Sequence, residues 1–238
     1  MLQGPDPGEA GRIAGEVKEF LQLQKDLGRQ FILRSRNKPL MQEPFVKLAE
    51  ASRNSLSALY QAVAQCRKCP LHENRNQALS GQGPVKTSLM FIGAGPGEED
   101  DRQGRPFSGP DGDLLTRMIQ AIQLTREEVF LTQAVKCRPP DDRSPLPEEL
   151  EACGFFLNEE IRLVSPDILV ALGEVPAQSL IRSNKSIFDL RGRWLKYNDR
   201  PFMAIFHPAF LLSHPEAKRD AWEDLKKIRR MVDELGTK

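Results

Sequence analysis

The sequence predicts an α/β fold: a short, mainly parallel central sheet wrapped on both faces by helices (three layers, α/β/α), with a helical extension at the N-terminus. Two observations predict it. Short apolar runs at residues 89–92, 129–135, 168–172 and 202–206 have strand length, and each runs into a glycine or a proline-bearing turn. Between them lie longer segments whose apolar residues recur at helical spacing. Strands alternating with helices give parallel pairing, because each crossover helix returns the chain to the same edge of the sheet.

In chain order, residues 1–8 are proline, glycine and acid-rich and predict no regular structure. Ile13, Val17, Phe20, Leu21 and Leu27 give an amphipathic helix over 9–27, and residues 34–44 are basic and proline-bounded, as in a linker. A second helix over 44–64 carries Phe45, Leu48, Ala49, Leu56, Leu59 and Val63. Residues 1–60 hold no chemical motif and are read as a packing or tethering extension, with residues 61–238 as the main domain. Cys66-Arg67-Lys68-Cys69-Pro70 opens that domain, and a polar loop leads to the first strand.

The first strand feeds Gly93-Ala94-Gly95-Pro96-Gly97, then Glu98, Glu99, Asp100 and Asp101, Arg102, Arg105, and Phe107 in a turn-rich PFSGPDG. Glycine lets the backbone bend and lets a ligand approach. A helix from near Asp111 buries Leu114, Leu115, Met118, Ile119 and Ile122. The second strand runs into Lys136-Cys137-Arg138-Pro139-Pro140, whose prolines stop it, and 141–147 is a loop. A helix over 148–164 holds Cys153 and buries Phe156, Leu157, Ile161 and Val164. After the third strand and Gly173 comes a short helix over 175–181. The fourth strand ends in a His207-Pro208-Ala209-Phe210-Leu211-Leu212 loop, and a last helix over 217–235 turns Trp222, Leu225, Ile228 and Val232 inward. The glycine loop, acids and aromatic form a pocket lip at the carboxyl end of a sheet strand, where open α/β sheets place their ligands.

Composition narrows the function classes. The chain has 238 residues and a net charge of +1, so no global basic field marks a nucleic-acid partner, although a local patch can. No apolar run approaches the roughly 20 residues of a membrane span, and no signal pattern opens the chain, which predicts a cytoplasmic protein. In a reducing compartment the four cysteines are better read as a metal site than as disulfides. Four thiolates admit zinc or an iron–sulfur cluster, and spacing does not choose between them. A redox CxxC is the weaker reading, since Cys66 and Cys69 do not start a helix in a thioredoxin-like unit. A dinucleotide fingerprint is incomplete: Glu98 stands where the last glycine belongs, and the acids repel pyrophosphate.

GPGEEDDRQGRPF, VKCRPP followed by ACG, and HPAFLL together resemble family 4 uracil-DNA glycosylases, over Cys66 to the C-terminus. The resemblance implies a doubly wound α/β/α fold and a [4Fe-4S] cluster held by Cys66, Cys69, Cys137 and Cys153. It implies monofunctional hydrolysis of the bond joining uracil to deoxyribose in DNA, by a protein read as a monomer. A flipped base must then be held. Phe107 is expected to stack on it, the backbone of Ala94, Gly95 and Pro96 to meet its edge, and Gln133 to read it with an amide. His207 is expected as the neutral donor to the departing oxygen, and Asp100 as the carboxylate that orients water or stabilises the sugar cation. Pro208, Ala209, Phe210 and Leu211, with Leu212, suit a wedge into the base stack. Lys136, Arg138, Arg143, Arg191 and Arg193 are candidate phosphate contacts.

Three positions depart from the family pattern: Ala94 stands for a glutamate, Gln133 for an asparagine and Asp142 for an asparagine. Slower uracil release follows, or a preference shifted toward hypoxanthine or xanthine. Rival readings are a DNA-binding relative without excision and an electron carrier.

Overall fold

A computed structural model describes residues 55–236 of the chain. The expected helix over 9–27 and the first part of that over 44–64 lie outside the described residues. The helix α1, Leu56–Ala64, begins where Ser55 leaves the helical conformation and accepts the Ala58 N–H on its hydroxyl. Next come β1 (Leu89–Gly93), α2 (Glu98–Gln103), α3 (Gly109–Ala121), β2 (Phe130–Gln133), α4 (Pro147–Val164) and β3 (Ile168–Leu172). The chain ends with α5 (Glu174–Ile181), α6 (Ile187–Leu190), β4 (Leu195–Tyr197), β5 (Arg200–Ile205), α7 (Pro208–Ser213) and α8 (Lys218–Gly236).

The sheet order is β2-β1-β3-β5-β4, parallel except for the β4–β5 pair. Phe91 pairs with Leu131 on one side and with Val170 on the other. The chain leaves β1 toward β2, then crosses back to β3 on the opposite side. The carboxyl ends of β1 and β3 therefore flank a topological switch point, the crevice where such sheets bind ligands.

Strand alternation splits the core into two layers. Leu89, Phe91, Val170, Met203 and Ile205 pack with Leu115 and Ile119 of α3 and with Leu225 and Ile228 of α8. Met90, Ile92, Leu169, Phe202 and Ala204 pack on the other face with Leu157, Ile161 and Val164 of α4 and with Ala177 of α5. Leu59, Ala62 and Val63 of α1 form a third cluster with Phe156. α1 thus spans the expected boundary at residue 60 and packs on the main domain.

Three local expectations are corrected. The acid run forms α2 rather than a loop, with its carboxylates at the positive end of the helix and Asp100 receiving the Gly97 N–H at 3.4 Å. The HPAFLL stretch forms α7, because Pro208 at its first position needs no hydrogen-bond partner and His207 caps the helix. Before β5 stands an antiparallel edge strand, β4, reached through Asn198 and Asp199 at φ 46° and 65°. Two successive left-handed residues match a primed hairpin turn. Among the described residues no helix is long and apolar enough to cross a membrane.

Candidate active site

A cleft of about 670 Å³ opens at the carboxyl edge of the sheet. Its walls are the loop after β1, from Ala94 to Gly97, together with Asp100, Gln133, Pro139, Gly173 and His207. Each of the four parallel strands thus delivers part of the wall. The volume falls in the range of small-molecule pockets.

Asp100 is 4% exposed, beneath the loop that ends α2. Its Oδ1 accepts the Ser108 N–H at 2.6 Å. Burial pushes its carboxyl up to about 6, against the pull of the Ser108 and Gly97 N–H groups, and Asp111 adds to the rise. Gln133, the last residue of β2, is 3% exposed. Its Nε2 lies 3.4 Å from Asp100 Oδ2, and its Oε1 is buried with no hydrogen-bond partner among the described residues. An unpartnered buried acceptor at a cleft wall marks a place for a donor.

His207 follows β5. Its Nδ1 accepts the Ala209 N–H at 3.2 Å, so in the neutral ring the proton sits on Nε2. Burial holds the imidazole below its ordinary value of 6.5, while Asp111 pulls the other way. The ring is therefore a neutral Nε2–H donor at neutral pH.

Phe107 sits one layer deeper than the sequence suggests. It is 2% exposed, its ring centroid is 6.4 Å from that of His207, and it is absent from the cleft lining. A Cβ on Gly93 would stand 2.8 Å from Phe107 Cζ and 2.1 Å from Gln133 Oε1. Bare glycine backbone, the phenyl edge and the amide thus meet at one point. Phe107 holds a left-handed φ of 56°, which is unusual for a bulky residue. Three devices not read from the sequence hold it there. Arg126 donates to the Pro106 carbonyl, Asp100 takes the Ser108 N–H, and Gly112 leaves room for the Phe107 carbonyl, which a Cβ would meet at 1.8 Å.

Cys66, Cys69, Cys137 and Cys153 line one small cavity with Val63, His72 and Phe156. Arg75 donates to Cys137 Sγ at 2.9 Å, and the Lys136 N–H to Cys153 Sγ at 3.3 Å. Among the described residues no group of three or more His, Cys, Asp or Glu is arranged to hold one metal ion. Burial pushes the thiols of Cys69, Cys137 and Cys153 up, Cys153 to about 12. A redox-active CxxC needs the opposite shift.

Two expected DNA contacts are corrected. Lys136 is 2% exposed; its ammonium binds Glu160, Thr132 Oγ1 at 2.7 Å and the Gln133 carbonyl at 2.9 Å, so it cannot reach a phosphate. Alternation along the end of β2 sends it into the α4 layer, which a strand-end lysine does not reveal in sequence. Leu211 is also buried, in the core between α7 and the sheet, and its neighbour Leu212 is the exposed apolar residue. Pro208 is buried, Ala209 is exposed and Phe210 is half-buried. Arg138 stays at the surface, bound to Asp142 at 2.7 Å and Glu98 at 3.4 Å. Arg143 grips Glu149, Arg191 grips Asp224, and Arg193 is exposed.

A doubly wound sheet with a carboxylate, an amide and a neutral imidazole gathered in a cleft at its switch point defines an α/β protein with its candidate site at the carboxyl edge of the sheet. The profile of the uracil DNA glycosylase superfamily matches residues 80–226, and the chain belongs to that superfamily, alongside its type-4 members. A type-4 uracil-DNA glycosylase of Thermotoga maritima is 40% identical over 180 residues, covering 73% of this chain and 93% of that protein. Its counterpart in Sulfurisphaera tokodaii is 38% identical over 75% of this chain and 86% of its own length. The one in Archaeoglobus fulgidus is 36% identical over 73% and 92%.

Proposed function

We propose that the chain flips uracil out of DNA and hydrolyses its bond to deoxyribose, leaving an abasic site. The observation that carries this reading is the convergence of Asp100, Gln133 and His207 on one cleft, in a chain of this superfamily. As the bond from C1′ to the base N1 breaks, its electron pair leaves with uracil. The Nε2–H of His207 donates to the uracil oxygen that gathers this charge, and a neutral imidazole does so without giving up its proton. Asp100, ionised at neutral pH, faces the cation-like sugar and accepts the proton of the attacking water. Gln133 Oε1 accepts the ring N–H, Phe107 backs the wall behind the Gln133 amide and Gly93, and the backbone of Ala94, Gly95 and Pro96 meets the edge of the ring. Ala209 and the exposed Leu212, supported by Pro208 and Phe210, enter the space the base vacates.

Cys66, Cys69, Cys137 and Cys153 would hold a [4Fe-4S] cluster, in a reducing compartment where thiolates persist. Bound there, the cluster supplies a cross-link between the loop after α1, the loop after β2 and α4. The four-sulfur cavity and the two N–H donors aimed at sulfur support it.

The test is base release from oligonucleotides carrying uracil, hypoxanthine or xanthine, with iron and sulfide assayed on the same preparation. Uracil release is expected. Excision of hypoxanthine alone would redirect the reading to that base, and binding without any abasic product would refute the enzyme.

A further inference from the structure

We infer that Phe188, on α6, is a second DNA-stacking residue, packed against α7 on a turn tied to Glu174 of the cleft wall. This inference rests on the DNA-glycosylase reading. Phe188 is 67% exposed, more than any other large apolar side chain among the described residues. A single exposed apolar residue calls for no explanation, but this one is part of an array. Phe206 and Phe210 stack at 4.9 Å, and Phe210 and His214 at 4.2 Å with their planes 12° apart. Phe188 stands edge-on to Phe206 at 5.5 Å and to Phe210 at 6.2 Å. Leu212, 42% exposed, lies two residues beyond Phe210 in the same short helix.

Two anchors hold α6 at the cleft. The Ile187 N–H donates to Glu174 Oε2 at 2.9 Å, and Glu174 lines the cleft. At the end of α6, Arg191 lies over the Phe206 ring at 4.9 Å and binds Asp224 at 2.8 Å. Phe188 is therefore presented by a pinned turn.

The occupant is a DNA base or sugar next to the flipped nucleotide. An exposed ring supported edge-on by two others offers a flat face, which suits stacking on a base. The exposed Lys185 and Arg193 flank the ring in sequence, against one exposed acid, Asp189, whose carboxylate is engaged by the Ser186 hydroxyl at 3.0 Å. That local excess of positive charge suits a strand whose phosphates pass on both sides. Phe188, braced on Phe210 of α7, makes a second apolar contact for the duplex in addition to the exposed Leu212 of that helix.

The experiment compares wild type, Phe188→Ala and Phe188→Trp on a uracil-containing duplex with 2-aminopurine beside the uracil. It measures the dissociation constant, the 2-aminopurine fluorescence change and the single-turnover excision rate at saturating DNA. Phe188→Ala should weaken binding by about five- to hundredfold and reduce the fluorescence change. Phe188→Trp should restore both, and the saturated rate should change little. Equal affinity and equal fluorescence change for wild type and Phe188→Ala would overturn the proposal. So would a loss confined to the saturated rate. If wild type releases no base yet Phe188→Ala still binds DNA more weakly, the stacking role stands and the glycosylase reading falls. Phe188→Trp guards against misfolding: failure of both variants to bind, with native circular dichroism, would count against stacking.

Discussion

The amide of Gln133 is oriented by Asp100. Its Nε2 lies 3.4 Å from the carboxylate Oδ2, and its Oε1 is left buried without a partner among the described residues. Turning the amide over would set oxygen against oxygen, so the carboxylate decides that the end of the amide beside Gly93 is an acceptor. An acceptor matches the N3–H of uracil and repels the N3 lone pair of cytosine. Hypoxanthine and xanthine carry the same N–H beside a carbonyl, which is why they belong in the substrate panel.

The longer arm of Gln133 brings Oε1 into the space that the bare Gly93 leaves beside the Phe107 edge. Gln133→Asn withdraws the oxygen by one methylene and clears that space. Ala94→Glu returns a carboxylate to the cleft wall. Both substitutions should raise the single-turnover rate of uracil release, while Gln133→Leu, with the bulk but no amide, should lower it by about tenfold or more. If Gln133→Asn and Ala94→Glu leave the rate unchanged or lower it, these positions are adaptations rather than losses.

Asp100 should show a conflict between stability and activity. Its carboxyl is raised by burial to about 6 from 3.8, so the folded protein binds the proton more tightly than the unfolded chain. Its favourable contribution is complete below about pH 4 and is lost as pH rises through about 6, leaving an ionised group that costs at most about 3 kcal/mol at neutral pH. Asp100→Asn should therefore match or exceed wild type in Tm at neutral pH, with the difference shrinking as pH falls toward 4. The same substitution should lower uracil release by about a hundredfold or more. For wild type, kcat/KM should rise with pH through about 6, and Asp100→Asn should lose that limb. A limb that survives the substitution would belong to another group, with His207 first to be examined.

The strands at residues 89–92 and 168–172 are legible in the sequence because a continuous apolar run that stops at a glycine fits a buried strand and little else. Cys66, Cys69, Cys137 and Cys153 are legible together as a metal site from their number and compartment, but the choice of an iron–sulfur cluster is legible only through family resemblance, since spacing does not choose between zinc and a cluster. β4 is not legible, because Leu195, Lys196 and Tyr197 are a short, half-buried edge with no apolar run. The burial of Lys136 and Leu211 is hidden for a related reason. Each lies inside a motif expected to face DNA, and only the phase of the strand end and of the short helix reveals that their side chains turn inward. Gly112 and Arg126 act through the carbonyls of Phe107 and Pro106, and backbone partners leave no residue pattern to read.

Lys136 is predicted to be a stability residue. Its ammonium is held by Glu160 and Thr132 in a fully buried network, and Glu160 Oε1 also accepts the Gly81 N–H at 3.2 Å. Lys136→Ala leaves a carboxylate buried without its counter-charge, which should cost about 3–5 kcal/mol in urea denaturation. Lys136→Met combined with Glu160→Gln should recover part of this, since no net charge is then buried. At temperatures where the Lys136→Met, Glu160→Gln protein is folded, the salt dependence of DNA binding should equal that of wild type. A slope reduced by about one would return Lys136 to the phosphate-contacting set.

Asp142 occupies Arg138, and this gives the clearest electrostatic prediction. Arg138 Nε is 2.7 Å from Asp142 Oδ1, and Arg138 also reaches Glu98 at 3.4 Å, so its charge is matched by two carboxylates at the cleft mouth. A phosphate arriving there must displace an acid and meet the repulsion of the others. Asp142→Asn keeps the size and a hydrogen-bond acceptor but removes one negative charge. DNA binding should tighten by about three- to tenfold at low salt, with a log–log salt slope steeper by about one. Arg138→Ala should have little effect on affinity in the wild-type protein and a larger one in the Asp142→Asn background. That non-additivity in a double-mutant cycle is the signature of a cation held back by its neighbour. If Arg138→Ala weakens binding equally in both backgrounds, Arg138 already contacts phosphate in the wild-type complex, and Asp142 does not restrain it.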